Sequence, residues 1–226
     1  MSEDDGAAES RRSVAVVSAG LRDPSSSSLL ADRLADATVA ALRLRGLEPE
    51  LRRVELREHA HDLTNALLSG FPAPALREVM ETVASADALI AVSPVFSGSY
   101  NGLFKTFFDV MGADSLAEMP VLLGATAGTP RHSLAIEHAL RPLLSYLRAL
   151  TVPTGVFAAT DDFGRSATAR SDDAVAPLGE RVQRGAKELA DLMASRERRR
   201  PNDPFELTAG FEDLLAEGSQ GDSFAR

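Results

Sequence analysis

Apolar positions along this chain fall into short unbroken runs, separated by longer stretches in which apolar residues recur every three or four positions. Ser13–Ser18 (SVAVVS) is β-branched and apolar, the pattern of a strand buried on both faces. After a loop at Ala19–Ser28, Leu29, Leu30, Leu34, Ala37, Val39, Ala40, Ala41 and Leu44 follow a helical period. Gly46 stands where that helix should end. Glu50–Leu56 alternates and is heavily charged, which predicts an edge strand. His59–Ala73 predicts loop with a short helical turn, and Pro74–Ser85 a helix with Pro near its start. Ala88–Val92 predicts the third strand, with a helix over Ser99–Met111. Pro120–Gly124, running on to about Thr126, predicts the fourth strand, and Arg131–Leu150 a long helix containing Pro142. Val152–Ala158 predicts the fifth strand, Asp161–Asp172 a polar loop, and Asp173–Arg200 a last helix ending in basic residues that suit its dipole.

Strands and helices therefore alternate five times. That pattern predicts an α/β three-layer sandwich around a five-stranded parallel sheet. The order 2-1-3-4-5 is flavodoxin-like, with an FMN-type site at the switch between the first and third strands. The chain divides into a tail at 1–12, one domain at 13–200 and a second tail at 201–226, which carries an amphipathic patch at Phe205–Leu215.

Composition narrows this picture without changing it. The 226 residues suit a single α/β domain, and 44% apolar content marks a globular chain. Aromatics are only 5%, so the core is built mainly from Ala, Leu and Val. A formal net charge of −9 argues against nucleic acid or an anionic membrane as a general partner. There is no Cys, which excludes disulfides, thiolate metal sites and cysteine nucleophiles. An acidic start without an apolar core, and no run long enough to cross a bilayer, make the cytoplasm the expected compartment. His59, His61, His132 and His138 show no metal-ligand pattern, and no GxSxG elbow, Walker A motif or GxGxxG fingerprint is present.

Candidate chemistry sits in three loops at one edge of the predicted sheet. The first runs from Ser18 through Gly20, Arg22 and Pro24 to Ser25–Ser28. Serine hydroxyls, Arg22 and a helix N-terminus can together receive an anion. A solvated serine loop with Ser28 as an ordinary helix cap is the alternative. The second, Pro94–Gly102, has small side chains that let backbone approach a planar ligand, with Phe96 free to pack on a ring or a neighbouring subunit. The alternative is a tight strand-to-helix turn capped by Ser99. The third is Thr126, Ala127, Gly128, Thr129 and Pro130, which can face the flat edge of a heterocycle. His132 follows it, near a cofactor or in solvent.

At this point the residues resemble a known family. SPVFSGSYNGLFKTFFD is similar to the signature of NADPH-dependent FMN reductases. SAGLRDPSSSSLL, SPVFSGSYNGLFK and the stretch GTPRHSLAIEHALRPLLSYLRALTVPTGVFA resemble the flavin reductases that serve two-component alkanesulfonate-type monooxygenases, with an actinobacterial flavour in FELTAGFEDLLAE. The resemblance spans roughly residues 13–159. It implies FMN at the three loops and NADPH or NADH as reductant. Ser18, Arg22, Ser26 and Ser28 would hold the phosphate. Pro94, Val95 and Phe96 would line the ribityl chain and ring, and Thr126, Ala127, Gly128 and Thr129 would meet the isoalloxazine edge. Many relatives carry an acidic residue, Tyr and Asn where this chain has Val95, Phe96 and Ser97, and Gly-Gly where it has Ala127-Gly128. His138 falls where relatives have Tyr or His on a helix with a π-bulge at a tetramer interface; an ordinary helix position is the alternative.

The resemblance further implies a homodimer or homotetramer, a partner monooxygenase and FMN that leaves once reduced. The strongly apolar helix containing Phe104, Phe107 and Phe108 is expected to supply an interface. Hydride transfer needs orientation more than acid–base groups, so no catalytic residue is assigned. Two enzymatic and non-enzymatic alternatives stand beside this one. One is a reductase that retains FMN and reduces quinones or azo compounds. The other class comprises a flavodoxin-like electron carrier or a non-catalytic binding protein.

Overall fold

Val14 and Val16 point to one side of the first strand, Ala15 and Val17 to the other, and all four are buried. A strand that is apolar on both sides needs cover on both sides, and the rest of the chain supplies it. The computed structural model describes residues 10–164 and 176–199. In chain order the elements are β1 (Arg11–Ser18), α1 (Ser26–Arg43), β2 (Glu48–Glu55), α2 (Ala60–Ser69), α3 (Pro74–Ala84), β3 (Ala88–Phe96), β4 (Ser99–Tyr100), α4 (Gly102–Met111), β5 (Pro120–Ala127), α5 (Arg141–Tyr146), β6 (Leu150–Thr151), β7 (Val156–Ala159), α6 (Thr160–Gly164) and α7 (Leu178–Ala194). Helices α1 and α7 cover the Val14, Ile90 and Leu122 face; α2, α3, α4 and α5 cover the Ala15, Leu89 and Leu123 face.

The parallel sheet runs β2-β1-β3-β5-β6, with β4 added to β3 and β7 to β5. The flavodoxin-like permutation is present, with seven strands in place of the expected five. Both additions have local causes. Ser97 (φ 51) and Gly98 (φ 85) form the two-residue turn that folds β4 back on β3, with both residues at positive φ as such hairpins require. The expected fifth strand is split at Pro153, which has no N–H to donate. Beyond it Glu188 of α7 accepts from Thr154 N (2.7 Å) and Thr154 Oγ1 (2.7 Å), and pairing with β5 resumes at Val156.

Other expectations shift in instructive ways. Residues 59–73 hold more helix than predicted: a short 3-10 turn at Leu56–His59 leads into α2, whose Leu63 and Ala66 are buried against α4. The helix expected from Ser99 starts at Gly102, because Ser99 is taken by β4 and Asn101 is the cap. Arg131–Leu150 is not one helix. It comprises a 3-10 turn (Pro130–His132), a π-helical segment (Ile136–Leu140) that carries His138 on its exposed side, and α5. Arg141 pins that segment. It donates to Glu137 (2.7 and 2.9 Å), Thr151 Oγ1 (2.9 Å), Val152 O (2.8 Å) and Pro153 O (3.0 Å). These bonds hold the Glu137 carboxyl below its ordinary pKa.

The last helix ends at Ala194, so the basic run does not cap it from within. Arg199 instead crosses beneath the sheet, donating to Ala84 O, Ser115 O (2.9 Å) and Ala117 O (3.3 Å), while its N–H meets Asp87 Oδ1 (3.1 Å). Carbonyls at turn ends, left open by the fold, attract it more than its own helix terminus. The expected first tail is too long, because Arg11 and Arg12 already pair in β1, and the expected 161–172 loop begins as helix, with 161–164 in α6. Residues 1–9, the rest of that loop and the second tail with its patch at 205–215 lie outside the described residues.

Candidate functional site

Register brings the three loops to one place. Ser18 pairs with Val92, and Pro94 with Thr126, so β1, β3 and β5 all end at the same edge of the sheet. Above that edge lies a cavity of about 370 Å³. The first loop lines it with Gly20, Arg22 and Ser25–Ser27, the second with Pro94, Val95 and Phe96, and the third with Thr126, Ala127 and Gly128. Leu21, Pro24 and Thr160 complete the wall.

One end of this cavity suits an anion. Ser25 caps α1, its Oγ accepting from Ser28 N at 3.2 Å, which leaves the N–H groups of Ser26 and Ser27 without a partner in the helix. Arg22 is exposed at the rim, and its side chain makes no hydrogen bond or ion pair among the described residues. Its neighbour Asp23 faces Arg57 instead (3.5 Å). No carboxylate lines the cavity among the described residues. The other end is flat and weakly polar: Pro94, Val95, Phe96, Ala127 and Gly128 offer backbone and small or aromatic surface, with Phe96 half-exposed at the mouth.

The loops are tied to one another by buried hydrogen bonds. Ser27 Oγ and Thr126 Oγ1 lie 2.8 Å apart, joining the first loop to the third. Asn101 Nδ2 donates to Ala19 O (2.7 Å), joining the second loop to the first, while Asn101 Oδ1 accepts from Phe104 N (2.9 Å) and caps α4. Ser93 Oγ accepts from Asn101 N (3.2 Å).

Of the residues expected in the site, Arg22, Ser26, Pro94, Val95, Phe96, Thr126, Ala127 and Gly128 meet at the cavity. Three do not. Thr129 is exposed and leads into the following 3-10 turn. Ser18 and Ser28 lie behind the loop, with Ser18 almost wholly buried. Ser28 Oγ donates to Glu55 Oε2 (3.0 Å) and sits 3.1 Å from Ser18 Oγ, which in turn accepts from Gly20 N (3.3 Å). Burial raises the Glu55 carboxyl above its ordinary pKa, against the opposing pull of the Ser28 and Ser18 hydroxyls and of Arg57. What Glu55 contributes to stability is therefore fully present in acid and is lost as pH rises through the raised value.

Sequence reading assigned no role to Asn101 or Glu55, and it placed Ser25 and Ser27 in the first loop without separating their roles. For Asn101 a signal existed: an Asn placed directly before the apolar helical run is a common cap pattern. Glu55 carries no such signal, because its role depends on β2 lying beside β1. Among the described residues no group of His, Asp or Glu could hold a metal ion, and no helix is long and apolar enough to cross a membrane.

Known proteins resemble this chain in sequence and in fold. The family model for NADPH-dependent FMN reductase matches residues 12–164. An FMN reductase (NADPH) of Pseudomonas aeruginosa is 39% identical over 184 residues, covering 81% of this chain and 93% of that protein. The NADH-dependent FMN reductase SfnF of Pseudomonas fluorescens is 38% identical over 147 residues, 65% of this chain and 75% of that one. Among solved structures, an oxidoreductase from Corynebacterium diphtheriae superposes with a TM-score of 0.76 at 42% identity, over 83% of this chain and all of that one.

Proposed function

The chain belongs to the NADPH-dependent FMN reductase family, and on that premise we propose that it transfers hydride from NAD(P)H to FMN held at the three-loop cavity. The observation that carries the site assignment is Arg22, unpaired among the described residues, beside the open N–H groups of α1, at a cavity that no described carboxylate lines. That donor set fits a phosphate, and the small, flat far end fits a planar ring system. When bound, FMN supplies the hydride-accepting chemistry.

The chain's own residues bind and orient. Arg22 and the N–H groups of Ser26 and Ser27 take the phosphate end. Pro94, Val95 and Phe96 flank the ribityl chain and one ring face, and Thr126, Ala127 and Gly128 meet the ring edge. Among the described residues Arg22 is the one charged side chain in the lining, so these residues position reactants and exclude water rather than move protons. Residues 13–200 form the reductase domain in this reading, and the cytoplasm, where reduced nicotinamides are made, is its compartment.

FMN acts as a dissociating substrate, and the reduced flavin passes to a flavin-dependent monooxygenase. The resemblance to two-component reductases and the openness of the Phe96 rim support that part. Desalting protein loaded with FMN should strip the flavin and leave colourless protein; flavin that stays through desalting favours the FMN-retaining quinone or azo reductase. Replacing Arg22 with Ala should weaken FMN binding by about tenfold or more, as for loss of a charge-assisted hydrogen bond, and leave riboflavin binding unchanged. Equal losses for the two flavins would remove Arg22 from the phosphate.

A homo-oligomer is part of the same reading, though its support differs from what the sequence indicated. Phe104, Phe107, Phe108 and Met111 of α4 are buried in the chain's own core. Leu134 and Tyr146, flanking the π-helical segment, and Leu67, Leu68 and Phe71, around the end of α2, are exposed instead. A monomer by light scattering contradicts this part.

A further inference from the structure

The hydrogen bonds behind the first loop converge on one carboxylate. A serine hydroxyl carries a single proton. Ser28 gives its proton to Glu55 Oε2, the Ser18 hydroxyl, 3.1 Å from Ser28 Oγ, also acts on that carboxylate, and Ser18 Oγ accepts from Gly20 N. The cluster of Gly20 N–H, Ser18 and Ser28 ends on a carboxylate and leaves neither hydroxyl proton for a ligand. Glu55 lies on the edge strand β2, half-buried, two hydrogen bonds from the cavity-lining Ser25 through Ser28. Arg57 partly offsets its charge, Glu58 adds to it, and Arg57 is itself shared with Asp23.

A loop built to receive an anion thus has an acidic group directly behind it. We propose that Glu55 tunes the hold on the flavin phosphate: its carboxylate accepts the serine hydrogen bonds and sets a negative charge behind the loop, so a phosphorylated flavin binds more weakly and leaves more readily. This rests on the FMN reading above and goes beyond it by naming what keeps the flavin exchangeable. Glu55 touches neither flavin nor nicotinamide in this account. It acts through Ser28, Ser18 and the field it places at the phosphate end, and is a positioning residue.

The test compares FMN and riboflavin affinity in wild type and Glu55→Gln. Gln keeps an oxygen that accepts from Ser28 and removes the charge. Glu55→Gln should bind FMN about tenfold more tightly, the order of effect expected from removing one partly screened unit charge behind the phosphate end. Riboflavin, which lacks the phosphate, should bind both proteins alike, and that equality also reports an intact pocket. FMN affinity unchanged or weakened by Glu55→Gln, with riboflavin affinity retained, overturns the proposal and leaves the FMN reading standing. Tightening of both flavins alike overturns it too, because a general loosening of the fold does not distinguish the phosphate. Wild type that binds no FMN overturns the underlying reading itself. Should the Gln variant not fold, Glu55→Ser removes the same charge from the edge strand and is read in the same way.

Discussion

Replacing Gly20 with Ala should lower kcat/KM for FMN by about 100-fold, the loss that a displacement of roughly 1 Å at a positioned site produces. A Cβ on Gly20 would sit 1.9 Å from Ser25 Oγ and 2.9 Å from Ser25 Cβ. Neither atom can retreat alone. Ser25 Oγ is held by Ser28 N, and Ser25 O accepts from Leu29 N in the first turn of α1. The substitution therefore moves the start of the helix, and with it the N–H groups of Ser26 and Ser27. The stability cost should stay near that of a lost helix cap, about 1 kcal/mol, because the buried body of α1 (Leu30, Leu34, Leu42) is untouched. Steady-state kinetics and thermal unfolding on the same sample separate the two effects. Near-normal FMN kinetics would show that the loop is not the phosphate end.

Asn101→Ala should destabilise the protein by about 2–4 kcal/mol, the combined cost of a lost cap and an orphaned buried carbonyl. Asn101 is almost fully buried and serves two masters: Oδ1 caps α4 at Phe104 N, and Nδ2 satisfies Ala19 O in the first loop. Ala19 and Asn101 are both buried, so water has little access to the carbonyl left behind. Asn101→Asp divides the roles, since a carboxylate still caps α4 but turns a second acceptor toward Ala19 O. It should keep more stability than Ala while losing activity as badly, because the first and second loops then repel. Chemical denaturation gives the first quantity and FMN-dependent turnover the second. If the Asp variant is as active as wild type, the tie between the loops does not position the site.

Much of this molecule can be read from its residues, and the limits have physical causes. The buried strands were legible because a parallel strand covered on both faces must be apolar throughout, as Val14–Val17 and Ala88–Val92 are. The edge position of β2 was legible in its charges. The cavity-lining loops were legible because small residues follow three strand ends that the topology must bring together. Side-chain direction was not. Serines 25 to 28 are identical in sequence, yet Ser25 caps the helix, Ser26 and Ser27 line the cavity, and Ser28 turns back to Glu55. Helical phase decides among them, and a one-residue uncertainty in the helix start reassigns every role. The β3–β4 hairpin and the Pro153 break were obscured because a two-residue strand and a missing amide leave almost no periodic trace. The π-helical segment is visible only by resemblance, since it adds a residue to a turn without changing which residues are apolar.

The central claim is that this cavity lets NAD(P)H reduce FMN, and the most direct measurement is the loss of reduced-nicotinamide absorbance on flavin-free protein, with and without added FMN. The account predicts negligible oxidation without FMN and a rate that saturates as FMN is raised. Folded protein that neither binds FMN nor oxidises NADPH or NADH in its presence would contradict it.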